Sequence, residues 1–253
     1  MGKTVNDFCE YLNSRVGSLY VLGMQGHSVK GFARAAITEY EKRYSSQPER
    51  SIERDFAQLD KKLPEDIFFY DCSGLGVAWL IESGLIKQDY TANSMYTQLC
   101  TKINRAALKK GDWVFVRNPN TGNITHIGYV VDHDLYVVEA KGRDDGVVKR
   151  PLSAGGWNVY GRPDKIFPEL NQSVTISRVL RLTSPYMRGD DVRALQESVR
   201  GIGITVDVDG IFGPGTESAV RIAQEQLFPN NPSEWDGQAG KKTAEALGLT
   251  WAV

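Results

Sequence analysis

The sequence predicts an α+β domain of helices packed on an antiparallel sheet, followed by a small all-α bundle of three helices. Three observations carry that prediction. Helical patterns occupy the first hundred residues. After residue 110 come short Val- and aromatic-rich runs, "DWVFV", "HIGYVV" and "LYVVEA", each bounded by turn residues, as strands are. Beyond residue 178 short helices and turns return, organised around an internal repeat. Helices followed by strands indicate an α+β domain with its own antiparallel sheet.

Taken in order, "TVNDFCEYLNSRVG" sets Phe8, Cys9, Leu12 and Val16 on one helical stripe. Charged helical stretches follow at 31–44 ("GFARAAITEYEKRY") and 51–63 ("SIERDFAQLDKKL"). "GVAWLIES" is apolar nearly all round and is stopped by Gly84, the pattern of a buried helix with a glycine just past its end. Cys9 and Cys100 sit among helical neighbours and read as packing residues. The polar segment "PELNQSVTIS", residues 168–177, reads as a linker between domains at 1–167 and 178–253. In the second domain "DGIFGPGTESAV" from Asp209 and "DGQAGKKTAEAL" from Asp236 repeat one pattern 27 residues apart. Each copy combines two turn glycines, a threonine expected to cap a helix (Thr216, Thr243) and a small apolar face.

Composition excludes several function classes. The chain has 253 residues, 41% hydrophobic and 24% charged, enough for proper cores. Its formal net charge of -1 lacks the basic excess of a nucleic-acid binder. No apolar run is long enough to span a membrane, and the N-terminus lacks the apolar core of a secretory leader. Asn6 also stands where a myristoylated chain would carry Ser or Thr. The expectation is synthesis in the cytoplasm, with any action outside the cell depending on release. Three cysteines at long spacings make no disulfide framework, and the scattered His27, His126 and His133 make no zinc site. No metal or cofactor is expected.

Cys72 lies at the N-terminal edge of the apolar helix, where unpaired N–H groups and the macrodipole favour negative charge. That placement predicts a lowered thiol pKa and backbone donors near a developing oxyanion. A small buried residue at a helix start explains these features equally well. His126 opens the strand "HIGYVV", and a turn around His133 leads into "LYVVEA". A two- or four-residue turn sets Glu139 directly opposite His126 on one face of the sheet. A three-residue turn puts it on the other face. The alternative for Glu139 is a solvated strand end.

In order, "YVLG" (20–23), "YDCSGL" (70–75), "KKGDWVFV" (109–116) and "HIGYVVDHDLYVVEAKG" (126–142) together resemble the NlpC/P60 family, papain-like cysteine peptidases of bacterial cell walls, over most of residues 10–165. The chain resembles in particular the versions in phage and prophage lysins. The resemblance implies that Cys72 attacks an amide carbonyl, that His126 exchanges the proton and that Glu139 orients His126. It implies that Tyr20 points toward the cysteine, and that Asp71 and Ser73 help bind the free amine of a stem peptide. The γ-D-glutamyl–diamino acid bond is the implied target, with N-acetylmuramoyl-L-alanine amidase activity or a non-catalytic wall-binding role as alternatives. One departure is an insertion of about forty-five residues at 24–68, opened by His27, where relatives have a short loop. Residues 180–250 resemble peptidoglycan-binding three-helix modules through "DVRALQ", "DGIFGPGT" and "DGQAGKKT". This implies wall contacts near Asp209 and Asp236, peptidoglycan as partner, and an endolysin that meets the wall after release.

Overall fold

The computed structural model describes residues 3–30, 34–61, 63, 66–171 and 174–252. Met1 and Gly2, the first three residues of the expected helix at 31–44, Lys62 and part of the expected linker lie outside this set. The chain divides into two compact units, residues 1–171 and 172–253.

The first unit opens on α1 (Val5–Ser14). Thr4 caps it in a reciprocal box: its hydroxyl accepts the Asp7 N–H at 3.3 Å, and Asp7 accepts the Thr4 N–H at 2.9 Å. Phe8, Cys9 and Leu12 are buried as the stripe predicts, but Val16 is 43% exposed. The helix ends at Ser14, so the fourth stripe position never enters the core.

Three short strands follow: β1 (Leu19–Tyr20), β2 (Gln25–Ser28) and β3 (Phe68–Tyr70). β1 pairs with β3 in parallel, Tyr20 beside Tyr70, and β2 pairs with β3 antiparallel. Elements of two to four residues offer no period to read, so this sheet goes unpredicted. Between β2 and β3 the insertion folds as a helical hairpin, α2 (Arg34–Tyr44) and α3 (Pro48–Leu59). Ile37 buries into a small core with Leu19, Val21, Met24, Ile67 and Phe69.

α4 (Gly74–Glu82) buries Leu75, Val77, Trp79 and Leu80, while Ile81 turns outward to solvent. After the short α5 (Ala92–Ser94) comes β4 (Thr101–Ile103), then β5 (Trp113–Arg117), β6 (Ile124–Val130), β7 (Tyr136–Gly142), β8 (Gly146–Pro151) and β9 (Val159–Arg162). They form one sheet in the order β4-β9-β5-β6-β7-β8, antiparallel throughout. One face carries Trp113, Phe115, Ile127, Tyr129 and Val138 against α1 and α4. The other carries Val114, Val130 and Val137 beneath Leu152 and Trp157. Residues 168–171, expected in the linker, form a 3-10 turn that packs on the first unit: Leu170 is buried and Glu169 accepts the Val5 N–H at 2.8 Å.

The second unit holds β10 (Thr175–Ile176), β11 (Met187–Arg188), α6 (Asp190–Gly201), β12 (Ile211–Phe212), α7 (Pro214–Leu227), α8 (Lys241–Ala246) and β13 (Thr250–Trp251). Val192, Leu195, Phe212, Val220 and Ala244 form its core. The repeat is a pair of side-chain staples. Gln196 donates to Asp209 Oδ1 (2.9 Å) and Thr216 Oγ1 (3.0 Å) and accepts the Gly210 N–H (2.8 Å). Gln224 does the same with Asp236 (3.0 Å), Thr243 (3.1 Å) and Gly237 (2.9 Å). The threonines are therefore not N-caps. Gly213 and Gly240 hold those positions in extended conformation, and the hydroxyls turn inward to the glutamines.

Candidate active site

The turn before α4 is locked from outside its own segment. The Asp71 N–H donates to Met24 O at 2.8 Å, and Asp71 Oδ2 accepts the Gly23 N–H at 3.0 Å. Gly23 has φ 85°, a conformation that side chains disfavour. A Cβ on Gly74 would meet Met24 O at 2.3 Å, so only glycine lets the start of α4 approach the chain at Met24. Asp71 Oδ1 accepts the Gly74 N–H at 2.6 Å and the Ser73 hydroxyl at 3.2 Å. "YVLG" and "YDCSG" thus meet across the insertion as one cradle around Cys72. Asp71 and Ser73, expected to meet a substrate amine, are bonded to each other and to this cradle. Tyr20, paired with Tyr70, stands close enough that the Cys72 and Asp71 charges, after burial, push its phenol up.

From the sheet side, the Tyr129 hydroxyl donates to the carbonyls of Cys72 and Ser73, each at 3.4 Å. The Ile127 N–H acts on the Cys72 thiol, which sets the half-buried sulfur beside the β6 backbone, one residue from His126.

The expected lowering of the thiol pKa does not hold. Burial, and after it the Asp71 carboxylate, push Cys72 up to about 12, while the N–H groups of Ser73, Cys72 and Ile127 pull less strongly the other way. Loss of water outweighs the helix terminus. At neutral pH the sulfur carries its proton.

His126 Nε2 lies 2.7 Å from Glu139 Oε2, and the Glu139 side chain is 0% exposed. The route to this pair corrects the expected register. Tyr129 pairs with Val138 and Val130 with Val137, and the Val131 N–H donates to Tyr136 O at 2.9 Å. The four-residue turn therefore covers 132–135, one step later than expected, because Leu135 takes a left-handed φ of 59° and Asp132 accepts the Tyr136 N–H at 2.9 Å. Continued one step further, the register sets Glu139 against Gly128, so it reaches His126 along a diagonal on the same face.

Arg150 and Trp157 complete the group, and neither is expected from the sequence. Arg150 Nε donates to Glu139 Oε1 at 2.5 Å, and its Nη1 donates to Ala154 O at 2.5 Å. The Trp157 ring stacks on His126 with centroids 5.6 Å apart and planes 8° from parallel. Burial alone would raise the Glu139 pKa, but hydrogen bonds from His126 and Arg150 prevail and hold it below its ordinary value. Arg150 belongs to an alternating strand and Trp157 follows two glycines, so neither carries a local signal. In the second unit, Asp209 also lines a groove of about 490 Å³ with Tyr186, Arg188 and Asp207.

A cysteine at the mouth of α4 with the β6 backbone against its sulfur, and a β6 histidine tied to a buried carboxylate, are the elements of a papain-like arrangement. Residues 60–161 match the NlpC/P60 family, and residues 188–247 match a putative peptidoglycan binding domain. The chain thus carries an NlpC/P60 domain followed by a peptidoglycan-binding domain, the composition of a peptidoglycan hydrolase family. Tyr20, α2 and all of α3 lie ahead of the first match. No curated protein matches the chain. Among solved structures, it is similar to the P60 domain of an antigen from M. avium subspecies paratuberculosis (18% identity, TM-score 0.40, 62% of this chain and 93% of that one). It is also similar to the peptidoglycan hydrolase RipB from Mycobacterium tuberculosis (19% identity, TM-score 0.39, 62% of this chain and 65% of that one).

Proposed function

We propose that the protein is an endolysin-like cysteine endopeptidase that cleaves the γ-D-glutamyl–diamino acid bond of peptidoglycan stem peptides. The first unit acts as the catalytic domain and the second holds the wall. The observation that carries this is the His126–Glu139 contact at 2.7 Å beside the Cys72 cradle. With Nε2 tied to Glu139, Nδ1 is the ring nitrogen left for the thiol.

Because the thiol rests protonated, His126 must act as a general base during attack. Sulfur adds to the amide carbon as the thiol proton passes to Nδ1. The tetrahedral intermediate expels the amine, which takes that proton, and leaves a thioester. Water then adds with His126 again as base, and collapse releases the carboxylic acid and restores the thiol. Glu139 stabilises the transient imidazolium. Asp71 and Ser73 bind the free amine of the stem peptide, with Tyr20 at the cysteine side. The second unit keeps its substrate at high local concentration, with contacts placed near Asp209 and Asp236.

Cys72→Ala is expected to reduce release of new amine ends from purified walls at least about a thousandfold while wall sedimentation stays unchanged. Mass spectrometry of the soluble products should show new D-glutamyl carboxylates and diamino acid amines. Turnover by the variant would end the nucleophile assignment, and free muramoyl carboxylates with new L-alanyl amines would show an amidase instead.

A further inference from the structure

We propose that Arg150 is a positioning residue of this site, acting through Glu139 to hold His126 for proton exchange with Cys72. The proposal rests on the Cys72–His126 assignment above.

Arg150 joins two supports of the His126 ring. Its Nε holds Glu139 Oε1 at 2.5 Å, and the other carboxylate oxygen holds His126 Nε2 at 2.7 Å. Its Nη1 holds Ala154 O at 2.5 Å, in the turn that leads through Gly155 and Gly156 to Trp157. Trp157 lies flat on His126 and fills the space over Gly128, where a Cβ would meet its ring at 2.7 Å. Arg150 thus tethers the carboxylate at one edge of the imidazole and the loop that brings the indole to its face.

The charges give this a chemical consequence. Glu139 is fully buried, and Arg150 is the cation bonded to it, while His126 is the group whose proton must come and go. Glu139 and His126 are in direct contact at 2.7 Å, so a proton on either is felt by both. Removing a nearby positive charge raises the proton affinity of that pair, wherever the proton resides. Without Arg150 the pair takes up its proton at higher pH, and His126 meets the thiol already charged and unable to accept its proton. Arg150 therefore sets the acid limit of the reaction without touching the reacting atoms.

The test uses the full chain and two readouts across pH: alkylation of Cys72 by iodoacetamide, followed by mass mapping, and cleavage of soluble wall fragments. Arg150→Gln is expected to move the acid-side midpoint of both profiles up by about one pH unit, with KM changed less than about twofold. Arg150→Lys, which keeps the charge, should return the midpoint toward the wild-type value. A packing role would lower the amount of folded protein without moving the midpoint, so superimposable profiles for Arg150→Gln and wild type overturn the proposal. Should Arg150→Gln not fold, Glu139→Gln/Arg150→Gln removes both charges together. It should share the midpoint of Glu139→Gln, and a further upward shift overturns action through Glu139. His126→Ala is the separate control: if wild-type alkylation shows no acid limb that this variant removes, the cysteine–histidine assignment fails, and the role of Arg150 with it.

Discussion

Two arginines of the β7–β8 hairpin grip fully buried glutamates, with opposite results for the acids around them. Arg150 meets one carboxylate, Glu139, which is held below its ordinary pKa. Arg143, in the turn, holds Glu41 of α2 at 2.5 Å and also faces Asp55 of α3 at 3.7 Å. No donor among the described residues reaches either oxygen of Asp55. Burial, and then the Glu41 charge, push the Asp55 carboxyl up to about 8 despite Arg143. Both sites are dry. Hydrogen bonds from His126 and Arg150 keep Glu139 ionised, whereas Asp55 receives none and faces the Glu41 charge. The first arrangement leaves a usable anion beside a histidine. The second leaves a proton between α2 and α3, where they meet the hairpin. Arg143 also lies over the Tyr20 ring at 5.5 Å, so the insertion is tied to the Cys72 side of the first unit.

The comparison breaks most visibly at Arg143. Arg143→Met leaves Glu41 and Asp55 buried without a cation and should destabilise the first unit by about 3–5 kcal/mol, measured by urea unfolding at pH 7. A loss under about 1 kcal/mol would show that the insertion does not depend on this cluster.

Asp55→Asn should have a smaller effect of the opposite sign. The folded carboxyl titrates near 8 against 3.8 for an ordinary aspartate, so the unfolded chain loses this proton first. Its contribution to stability is complete below about pH 4 and is lost as pH rises through 8. The asparagine variant should therefore be more stable than wild type by about 1–3 kcal/mol at pH 8 and show a flatter melting profile between pH 5 and 8. Glu139 runs the other way. Its stabilisation is present above 4.5 and fades as acid takes the pH through its depressed folded value. An unchanged alkaline profile in Asp55→Asn would mean that Asp55 is ionised in the fold.

The smallest effect belongs to the rim of the same contact. Arg54 of α3 bridges Asp144 at the surface, with the side chains 37% and 64% exposed. Arg54→Ala should cost less than about 1 kcal/mol, and less still in high salt. A larger loss would place the anchoring of α3 at the surface bridge instead of at Arg143.

How much was legible follows from how local each signal is. α1, α4 and the strands after residue 110 could be read because their periodicity or apolar run is contained in the element. Gly84 marks the end of α4 within a few residues. The Asp-Gly repeat was visible for the same reason, although its threonines turned inward, since Gln196 and Gln224 lie a helix away. Pairing His126 with Glu139 on one face required only the parity of the turn. Its diagonal geometry depended on Leu135 remaining in the turn, a choice local preference does not make.

Residue types and their spacing by themselves determined the α+β class, the apolar helix behind Cys72 and the paired turns of the second unit, and left the face of Glu139 to the length of one turn. Tertiary structure alone decided that β1 joins β3 across the insertion, that Arg150 and Trp157 close around His126, and that Cys72 is a protonated thiol at rest. Periodicity and turn chemistry are properties of neighbouring residues. Desolvation and charge balance depend on which distant side chains fold against a group, and these set both the thiol of Cys72 and the carboxylates of Glu139 and Asp55.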